Sequence, residues 1–336
     1  MRESPSRIEH LTINSAALRG NPLGDPTERA ITVYLPPGHD DLPLRGYPAI
    51  YLLASHGSTG PSLMNWRPWD VTIYEQIDAL IESGAMPPAI VVMPDMWTRF
   101  GGSQYINSAG IGRYEDFLID EVIPLVDRSF RTLPDRDHRG LVGRSSGGYG
   151  AITQALRHPE TFGAFACHSG DLYWEYTCLP GLSRMHQHLA KFGGLDAFIQ
   201  DIPTIRPKNS AFWDLIMTVC WSAAFGSNPD APHGFDLPIY LETGALNETV
   251  WARWLAHDPI RRLSDPAAIE ALRSMRLAFI DVGQYDEYQL QVGARVLHQR
   301  LDALGIAHTY EEYPDGHRGT HYRYDVSLPQ LAEALQ

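Results

Sequence analysis

Cysteine is scarce in this sequence, with three residues among 336. Cys167, Cys178 and Cys220 form an odd set without C-x-x-C spacing, which argues against a disulfide framework and against a thiolate zinc site. We expect three free thiols that pack inside the protein as small apolar side chains.

Positive charge is also in short supply, since 27 lysine and arginine residues face 40 aspartate and glutamate residues. The formal net charge of −13 at pH 7 would repel a phosphate backbone, so the sequence argues against nucleic acid as a partner. Long apolar runs are missing too, and none reaches the length that spans a bilayer. Residues 1–14 are polar and lack the layout of a secretion signal, so a cytoplasmic location is predicted.

Strand-like and helix-like segments alternate along the chain, and 44% of the residues are hydrophobic, which is enough for a sizeable core. Continuous apolar runs at Ala49–Leu53 and at residues 89–93 are typical of strands buried on both faces. Further strands are predicted at residues 8–14, 29–35, 138–142, 165–167, 237–243, 276–282 and 309–313, with helices at 71–83, 114–129, 149–157, 290–304 and 327–335. The alternation predicts one α/β domain over residues 1–336, with a mostly parallel central sheet and helices on both faces.

A G-x-S-x-G pattern centred on Ser145 lies between a strand-like run and a helix-like one. In that setting the serine sits on a tight turn that lifts its hydroxyl above the sheet, and the flanking glycines let strand and helix approach closely. The helix that begins there points its amide groups at the site and favours developing negative charge. Elsewhere the same pattern is a glycine-rich surface turn, so its meaning depends on partners in the rest of the sequence.

A serine hydroxyl becomes a good nucleophile only beside a base, usually a histidine that a carboxylate orients. His317 is the candidate base, because it follows the last predicted strand on a turn that Gly316 makes possible. Asp286, in the loop after the strand at residues 276–282, is the candidate acid, and the adjacent Glu287 is the alternative. The order of serine, acid and histidine along the chain is that of the α/β-hydrolases.

No metal and no organic cofactor is predicted. His317 and His321 have a spacing that binds metal when both lie on one helix, but the glycines around them argue against a helix there. His321 is interpreted as a residue of the pocket rim or of the surface.

A serine that attacks a carbonyl also needs two backbone amides aimed at the oxygen that becomes negative. One amide is expected from Ser146, directly after the nucleophile. The other is expected from the loop of small residues after Ala49–Leu53, with Ser58 and Thr59 as the predicted donors.

Short stretches of sequence spread over most of the chain occur in an order that is typical of one protein family. They are residues 34–38, 47–53, 88–95, 114–118 and 121–124, the turn at Ser145, and residues 315–317. Taken in this order, they resemble the putative-esterase family of α/β-hydrolases, which includes esterase D-like S-formylglutathione hydrolases, feruloyl esterases and the antigen 85 mycolyltransferases. The resemblance implies an α/β-hydrolase fold with Ser145 as nucleophile, Asp286 as acid and His317 as base.

The chain departs from the family pattern at two places. Ser146 stands where the family commonly has a larger residue, often methionine. Ala54 and Ser55 precede His56, whereas the family usually reads Leu-His-Gly directly after the strand. The second departure bears on which amide completes the oxyanion hole.

Residues 172–236 are rich in aromatic residues and proline and are less regular than the rest, which predicts a cap or lid insertion. Its aromatic side chains either line a substrate pocket or pack the insertion's own small core. Trp174 from this segment is predicted to line the pocket together with His56, Trp97 and His168 from strand-end loops. For His168, packing or loop hydrogen bonding is an equal alternative.

These features together predict a serine carboxylic-ester hydrolase that forms an acyl-enzyme on small or aromatic acyl esters. Its partner is then a small-molecule ester. The alternatives are an acyltransferase of the same fold and a catalytically silent binding protein that kept the fold. The sequence does not give the natural ester, and it leaves open whether the chain forms a homo-oligomer.

Overall fold

The structure, a computed structural model, describes residues 4–66 and 68–336. Its strands are β1 (Arg7–Asn14), β2 (Glu28–Leu35), β3 (Ala49–Leu53), β4 (Ile90–Pro94), β5 (Asn107–Ser108), β6 (Gly112–Arg113), β7 (Arg139–Arg144), β8 (Ala164–His168), β9 (Leu277–Gly283) and β10 (Thr309–Tyr313). All except the small β5–β6 hairpin form one sheet in the order β1-β2-β4-β3-β7-β8-β9-β10. β2 pairs antiparallel with β1 and β4, and the other neighbours are parallel, which confirms the predicted mostly parallel sheet.

Helices cover both faces of this sheet, as predicted. They are α1 (Ile73–Glu82), α2 (Tyr114–Asp116), α3 (Ile123–Ser129), α4 (Ser146–Arg157), α5 (Trp174–Thr177), α6 (Leu179–Lys191), α7 (Leu195–Asp201), α8 (Ser210–Phe225), α9 (Glu248–Leu255), α10 (Pro259–Arg262), α11 (Pro266–Arg273), α12 (Leu290–Ala303) and α13 (Tyr324–Ala334). A π-helical turn at Phe117–Val122 joins α2 to α3, and short 3-10 turns lie at Pro61–Met64, Arg136–His138 and His321–Arg323.

The core is divided by the sheet into two apolar layers. One layer packs α1 and α13 against the strands, with Ile77 and Leu328 fully buried. The other and larger layer contains α4, α8 and α12. Burying a large aliphatic side chain stabilises the folded state by roughly 1.5–3 kcal/mol. The two layers together therefore hold the strands, and with them the strand ends that carry the site, in fixed positions.

Local sequence signals explain the helix at the start of the smaller layer. The Thr72 side chain accepts a hydrogen bond from the Glu75 amide, and the Glu75 carboxylate accepts one from the Thr72 amide. This reciprocal cap satisfies two amides that the first turn of α1 would otherwise leave without partners.

Two predictions about the region between β8 and β9 are wrong. Residues 172–236 are not irregular but contain α5 to α8, and twelve of the sixteen residues of α8 are buried. A helix buried on most sides has no polar face, so it shows no amphipathic period. Residues 237–243 form no strand apart from one isolated bridge at Ile239, because Pro238 lacks an amide and the chain turns at Gly244.

All three cysteines are buried free thiols, as expected. Within residues 4–66 and 68–336, no helix combines the length and the apolar character needed to cross a bilayer.

Candidate active site

Ser145 lies in a strained turn between β7 and α4, with φ 57° and ψ −125°. Its amide donates to the His168 carbonyl at 2.9 Å, which ties the turn to the neighbouring strand. A Cβ on Gly147 would lie 2.1 Å from the Leu53 carbonyl oxygen, and one on Gly143 would lie 2.4 Å from the Gly147 oxygen. Only glycine fits at these two positions. A residue held in such a sparsely populated conformation costs about 1–3 kcal/mol, and such strain clusters at functional sites.

Asp286 and His317 meet at the same edge of the sheet, in the loops after β9 and β10. Asp286 is fully buried, and its Oδ2 lies 2.8 Å from Nδ1 of His317. The other carboxylate oxygen accepts from the Tyr288 amide at 2.9 Å, so the acid is held at both oxygens. A carboxylate at Nδ1 fixes the proton there and leaves Nε2 of a neutral imidazole as the basic nitrogen.

Glu287, the alternative acid, contacts the main chain of the histidine and not its ring. Its Oε2 accepts from the His317 amide at 2.6 Å, and this hydrogen bond lowers the pKa of Glu287. The two neighbouring acids therefore contact different parts of His317: Asp286 is hydrogen-bonded to the imidazole, and Glu287 is hydrogen-bonded to the backbone amide.

Arg144 is a site residue for which the sequence gives no signal, because it occupies the variable position of the G-x-S-x-G pattern. Its Nη1 donates to the His317 carbonyl at 2.6 Å and so links the strand of the serine to the loop of the histidine. The Tyr288 ring packs edge-on against the imidazole, with centroids 4.9 Å apart. Within the described residues, no hydrogen bond joins the Ser145 hydroxyl to the imidazole; such contacts often tighten only when substrate binds. We call Ser145, Asp286 and His317 the rim set.

The backbone amides near Ser145 point to a different oxyanion hole from the predicted one. The Ser146 amide lies in the first turn of α4, where it has no intrahelical acceptor. The amides of Ser58 and Thr59 are already donated, to a carbonyl three residues earlier at 3.0 Å and to a nearby serine hydroxyl at 2.8 Å. The Gly57 amide donates to a carbonyl in the loop after β4 at 2.7 Å. The His56 amide has no acceptor within the described residues, and the amides of Ser55 and Gly60 in the same loop have none either.

Because both amides are donated elsewhere, the structure argues against Ser58 and Thr59 as the predicted donors and leaves the His56 amide as a candidate. Two residues, Ala54 and Ser55, separate His56 from β3, and this is the departure from the family pattern noted above. The His56 ring donates from Nε2 to the Phe100 carbonyl at 3.0 Å, and burial lowers its pKa to about 4. The ring is therefore neutral at physiological pH and fixes the loop without acting as a base.

Two cavities adjoin this loop. The smaller, of about 10 Å³, has room for roughly one water molecule and lies between Ser146, His56 and Gln104. The larger, of about 530 Å³, is lined by Arg144 and Arg318, which directly flank Ser145 and His317 in the chain, and by none of the three rim-set residues themselves. Its lining includes Ser55, Gly57, Thr72, Arg144, Arg318 and His321.

Two of the predicted pocket residues lie in the core. His168 is 2% exposed, and both its ring nitrogens are hydrogen-bonded to buried side chains at 2.7 Å. Trp174 is 1% exposed and packs on Tyr149 and Phe225, with ring centroids 5.7 and 4.4 Å apart. The pocket role predicted for Trp174 is therefore wrong, because its ring packs in the larger apolar layer. For His168 the alternative holds, because its buried ring is fully hydrogen-bonded to Asp281 and Ser327.

The other two predicted pocket residues differ from each other. His56 lines both cavities, whereas Trp97 lines neither and uses its backbone to hold Arg29 and Asp95. An aromatic residue that the sequence did not single out for the pocket lies closer. The half-exposed Trp213 ring from α8 covers Gly57, where an added Cβ would lie 3.3 Å from it.

Asp171 is a third carboxylate near the rim set, beyond Asp286 and Glu287. It is 8% exposed, and its Oδ2 accepts from the Ser146 hydroxyl at 3.3 Å. Burial raises its pKa to about 6, although the nearby His317 and the Ser146 hydroxyl oppose this effect. Ser146, which replaces the residue common in the family, is therefore the hydrogen-bond donor of a buried acid.

The strand order and the strained serine between β7 and α4 define an α/β-hydrolase fold. The chain belongs to the family described as "Putative esterase", whose sequence model matches residues 26–334.

Comparison with known proteins agrees with this membership. The chain is 24% identical over 339 residues to esterase Rv1288 of Mycobacterium tuberculosis, an alignment that spans 96% of this chain and 59% of that protein. A ferulic acid esterase has a similar structure, with a TM-score of 0.61, 21% identity, and coverage of 98% of this chain and 99% of the other. S-formylglutathione hydrolase FrmB of Staphylococcus aureus is similar at a TM-score of 0.58, 17% identity, and coverage of 99% and 100%. At these identities the structures show a shared fold.

Proposed function

We propose that this protein is a serine carboxylic-ester hydrolase that acts through an acyl-enzyme, with Ser145 as nucleophile. One observation carries the proposal. The Asp286–His317 hydrogen bond of 2.8 Å lies at the same sheet edge as a serine on a strained turn at a helix N-terminus. Membership of the esterase family supports the same chemistry.

The first half of the reaction forms the acyl-enzyme. Nε2 of His317 takes the proton from the Ser145 hydroxyl as its oxygen bonds to the ester carbon. The carbonyl oxygen becomes negative and accepts hydrogen bonds from the amides of Ser146 and His56. When the carbon–oxygen bond to the alcohol breaks, the imidazolium gives its proton to the departing alcohol, and Asp286 stabilises the charged ring in between.

The second half releases the acid by the same steps with water in place of the serine. His317 removes a proton from water, the hydroxide bonds to the acyl carbon, and the returning proton goes to the Ser145 oxygen as the acid leaves. The base, the orienting acid and the oxyanion donors are all side chains or backbone amides of the chain. The proposed steps therefore call for no metal or organic cofactor.

We infer that the substrates are small or aromatic acyl esters. The 530 Å³ cavity beside the rim set lies in the size range of small-molecule pockets. Residues 172–236 then act as the cap, and Trp213 is the member of that segment that contacts the oxyanion loop. A ferulic acid esterase among the similar structures supports testing aromatic acids first.

A fluorophosphonate probe tests the proposal most directly, because only an activated serine reacts readily with it. We expect labelling of one residue, Ser145, and parallel loss of hydrolysis of short p-nitrophenyl esters. Ester cleavage that survives complete labelling of Ser145 would contradict the proposal. No labelling and no cleavage would identify a silent binding protein, and a new ester formed from an added acceptor alcohol would identify an acyltransferase.

A further inference from the structure

Three side chains that can bind metal lie together at the sheet edge opposite the rim set. His298 and Asp302 are four residues apart near the end of α12, and His308 directly precedes β10. His317 follows the same strand, and a five-residue strand is roughly 16 Å long. The cluster is therefore too far from the reacting atoms to take part in ester cleavage.

The two imidazoles of this cluster are in direct contact. Nδ1 of His308 lies 2.9 Å from the Ile306 carbonyl, and since a carbonyl only accepts, this nitrogen carries the proton. Nε2 of a neutral His308 therefore has a free lone pair, and it lies 2.8 Å from Nδ1 of His298. If His298 donates there, its own Nε2 is the bare nitrogen, and it faces the Asp302 carboxylate at 3.5 Å.

The lone pair on Nε2 of His298 would then face the negative Asp302 carboxylate, and the two repel each other. The arrangement becomes favourable when a positive charge lies between them or on the imidazole ring. Either a proton or a metal ion can supply that positive charge. The arrangement resembles known metal sites in one detail, since a histidine that binds a metal usually donates its other ring N–H to a carbonyl or carboxylate. His308 already makes that hydrogen bond through Nδ1.

The surroundings hold both rings in place. The His298 ring stacks on Tyr310 with centroids 4.3 Å apart and planes 8° from parallel. The Tyr310 hydroxyl donates to Glu312 at 2.7 Å, and Arg295 makes two hydrogen bonds of 2.7 Å to the same carboxylate. The side chain of His308 is 4% exposed, so its ring has little freedom to turn away.

We propose that His298, Asp302 and His308 form a binding site for a zinc ion. Two imidazoles and one carboxylate suit Zn²⁺ and related transition metals, and they are not the oxygen-rich set that Mg²⁺ or Ca²⁺ requires. The candidate ligand atoms all lie within 4.8 Å of one another. Zinc–nitrogen bonds are about 2.0–2.1 Å long, so the exposed Asp302 carboxylate, now 3.5 and 4.0 Å from the two imidazoles, moves closer to them when the ion binds.

The bound ion joins the end of α12 to the start of β10. Because the three ligands converge only in the folded chain, Zn²⁺ binds the native state preferentially and stabilises it by mass action. The exposed side of the site leaves the remaining coordination position to water. Its role is therefore structural, and the esterase activity does not depend on it.

Isothermal titration of the untagged full chain with ZnCl₂ at pH 7.5, after dialysis against a chelator, tests the site. We expect one saturable ion per chain, and a weakening of at least about tenfold in each of His308→Ala and His298→Gln, since even outer-shell changes cost that much. Zn²⁺ should raise the melting temperature of the unsubstituted chain and not that of His298→Gln. Hydrolysis of p-nitrophenyl esters should be retained in both variants.

His233 provides the matched control, because it pairs with the carboxylate of Asp196 at 2.7 Å and belongs to no three-ligand group among the residues that the structure describes. His233→Ala should leave zinc binding unchanged. Equal affinity in His298→Gln and in the unsubstituted chain would overturn the proposal. So would the absence of saturable binding to the folded chain, which would mean that a proton satisfies the cluster. His298 is the more exposed histidine, so its variant is informative even if His308→Ala does not fold.

Discussion

Two Ser-His-Asp sets lie within residues 4–66 and 68–336, and they differ in burial, in backbone setting and in access to a cavity. Besides the rim set, Ser327, His168 and Asp281 form a second set inside the molecule, which we call the buried set. Its His–Asp and His–Ser contacts are both 2.7 Å, so its hydrogen bonds are more complete than those of the rim set. All three residues are at most 2% exposed.

The comparison shows that the triad pattern alone does not define a site. Ser327 lies within α13 and has no cavity beside it among those described above, whereas Ser145 lies on a strained turn at a helix N-terminus and is followed by the undonated amide of Ser146. Asp281 also pairs with Arg323 at 2.8 Å, so its charge is shared with a cation. The buried set supports the rim set, because the His168 carbonyl accepts the Ser145 amide.

The largest expected effect separates the two serines. Ser145→Ala should lower kcat/KM for p-nitrophenyl acetate by on the order of 10⁴-fold or more, because the nucleophile is lost. Ser327→Ala should keep kcat/KM within about tenfold but lower the free energy of unfolding by about 1–3 kcal/mol, because Nε2 of His168 loses its partner. Steady-state kinetics and urea unfolding of both variants measure the contrast. Comparable losses of activity in the two variants would mean that the rim set is wrongly assigned.

Substitution of Asp286 should mainly reduce activity, whereas substitution of Asp281 should mainly reduce stability. Asp286→Asn should lower kcat by on the order of 10⁴-fold, because asparagine favours the wrong tautomer of His317. Asp281→Asn should instead destabilise the fold by about 3 kcal/mol, because Arg323 and His168 lose a buried charged partner. The activity of its folded fraction should stay within about tenfold. A large kcat loss in folded Asp281→Asn would show that the buried set takes a direct part in catalysis.

The oxyanion loop allows a finer test with two glycines that share the same backbone angle. Gly57 and Gly84 both have φ +75°, so alanine at either costs about 1–2 kcal/mol of stability. A Cβ at Gly84 meets nothing within 4 Å, whereas one at Gly57 lies 3.3 Å from the Trp213 ring and adjoins His56. Gly57→Ala should therefore also lower kcat by about 10²-fold, the usual effect of a displaced oxyanion donor. Equal kcat values for the two variants would argue against His56 as the donor.

The features that could be predicted from the sequence are those with a repeating or strongly local signal. The buried strand Ala49–Leu53 and the Ser145 turn were identified because apolar runs and glycine spacing report them directly. The Asp286 loop followed from strand order, since parallel strands end at one edge.

What could not be predicted depends on tertiary contacts. Trp174 was predicted to line the pocket because it lies in the aromatic-rich segment, and His168 because it lies at a strand end, but both side chains are buried. The structure argues against Ser58 and Thr59 as donors, and the sequence could not indicate this because it does not show which amides a turn already uses. Arg144 acts through a backbone carbonyl 173 residues away, a contact that no local pattern encodes.

The smallest expected effect is a change in the pH dependence of stability, and it comes from Asp171, a carboxylate that belongs to neither set. Like Asp281 it is buried, but it has a hydroxyl in place of an arginine as its partner, and burial raises its pKa from 3.8 to about 6. A raised carboxyl pKa means that the folded state binds the proton more tightly than the unfolded state does, so this group costs stability as pH rises from about 4 to 6. Below pH 4 the carboxyl is protonated in both states, and the cost disappears.

Asp171→Asn removes this titration while keeping the shape of the side chain. Its free energy of unfolding should match that of the unsubstituted chain below about pH 4 and exceed it by about 2–3 kcal/mol above pH 6, since one pKa unit corresponds to about 1.4 kcal/mol. Urea unfolding of both proteins from pH 4 to pH 8 measures the difference. A difference in unfolding free energy that does not change with pH would mean that Asp171 is already ionised at low pH. The Ser146 hydroxyl and His317 would then compensate the burial of Asp171 as fully as Arg323 and His168 compensate the burial of Asp281.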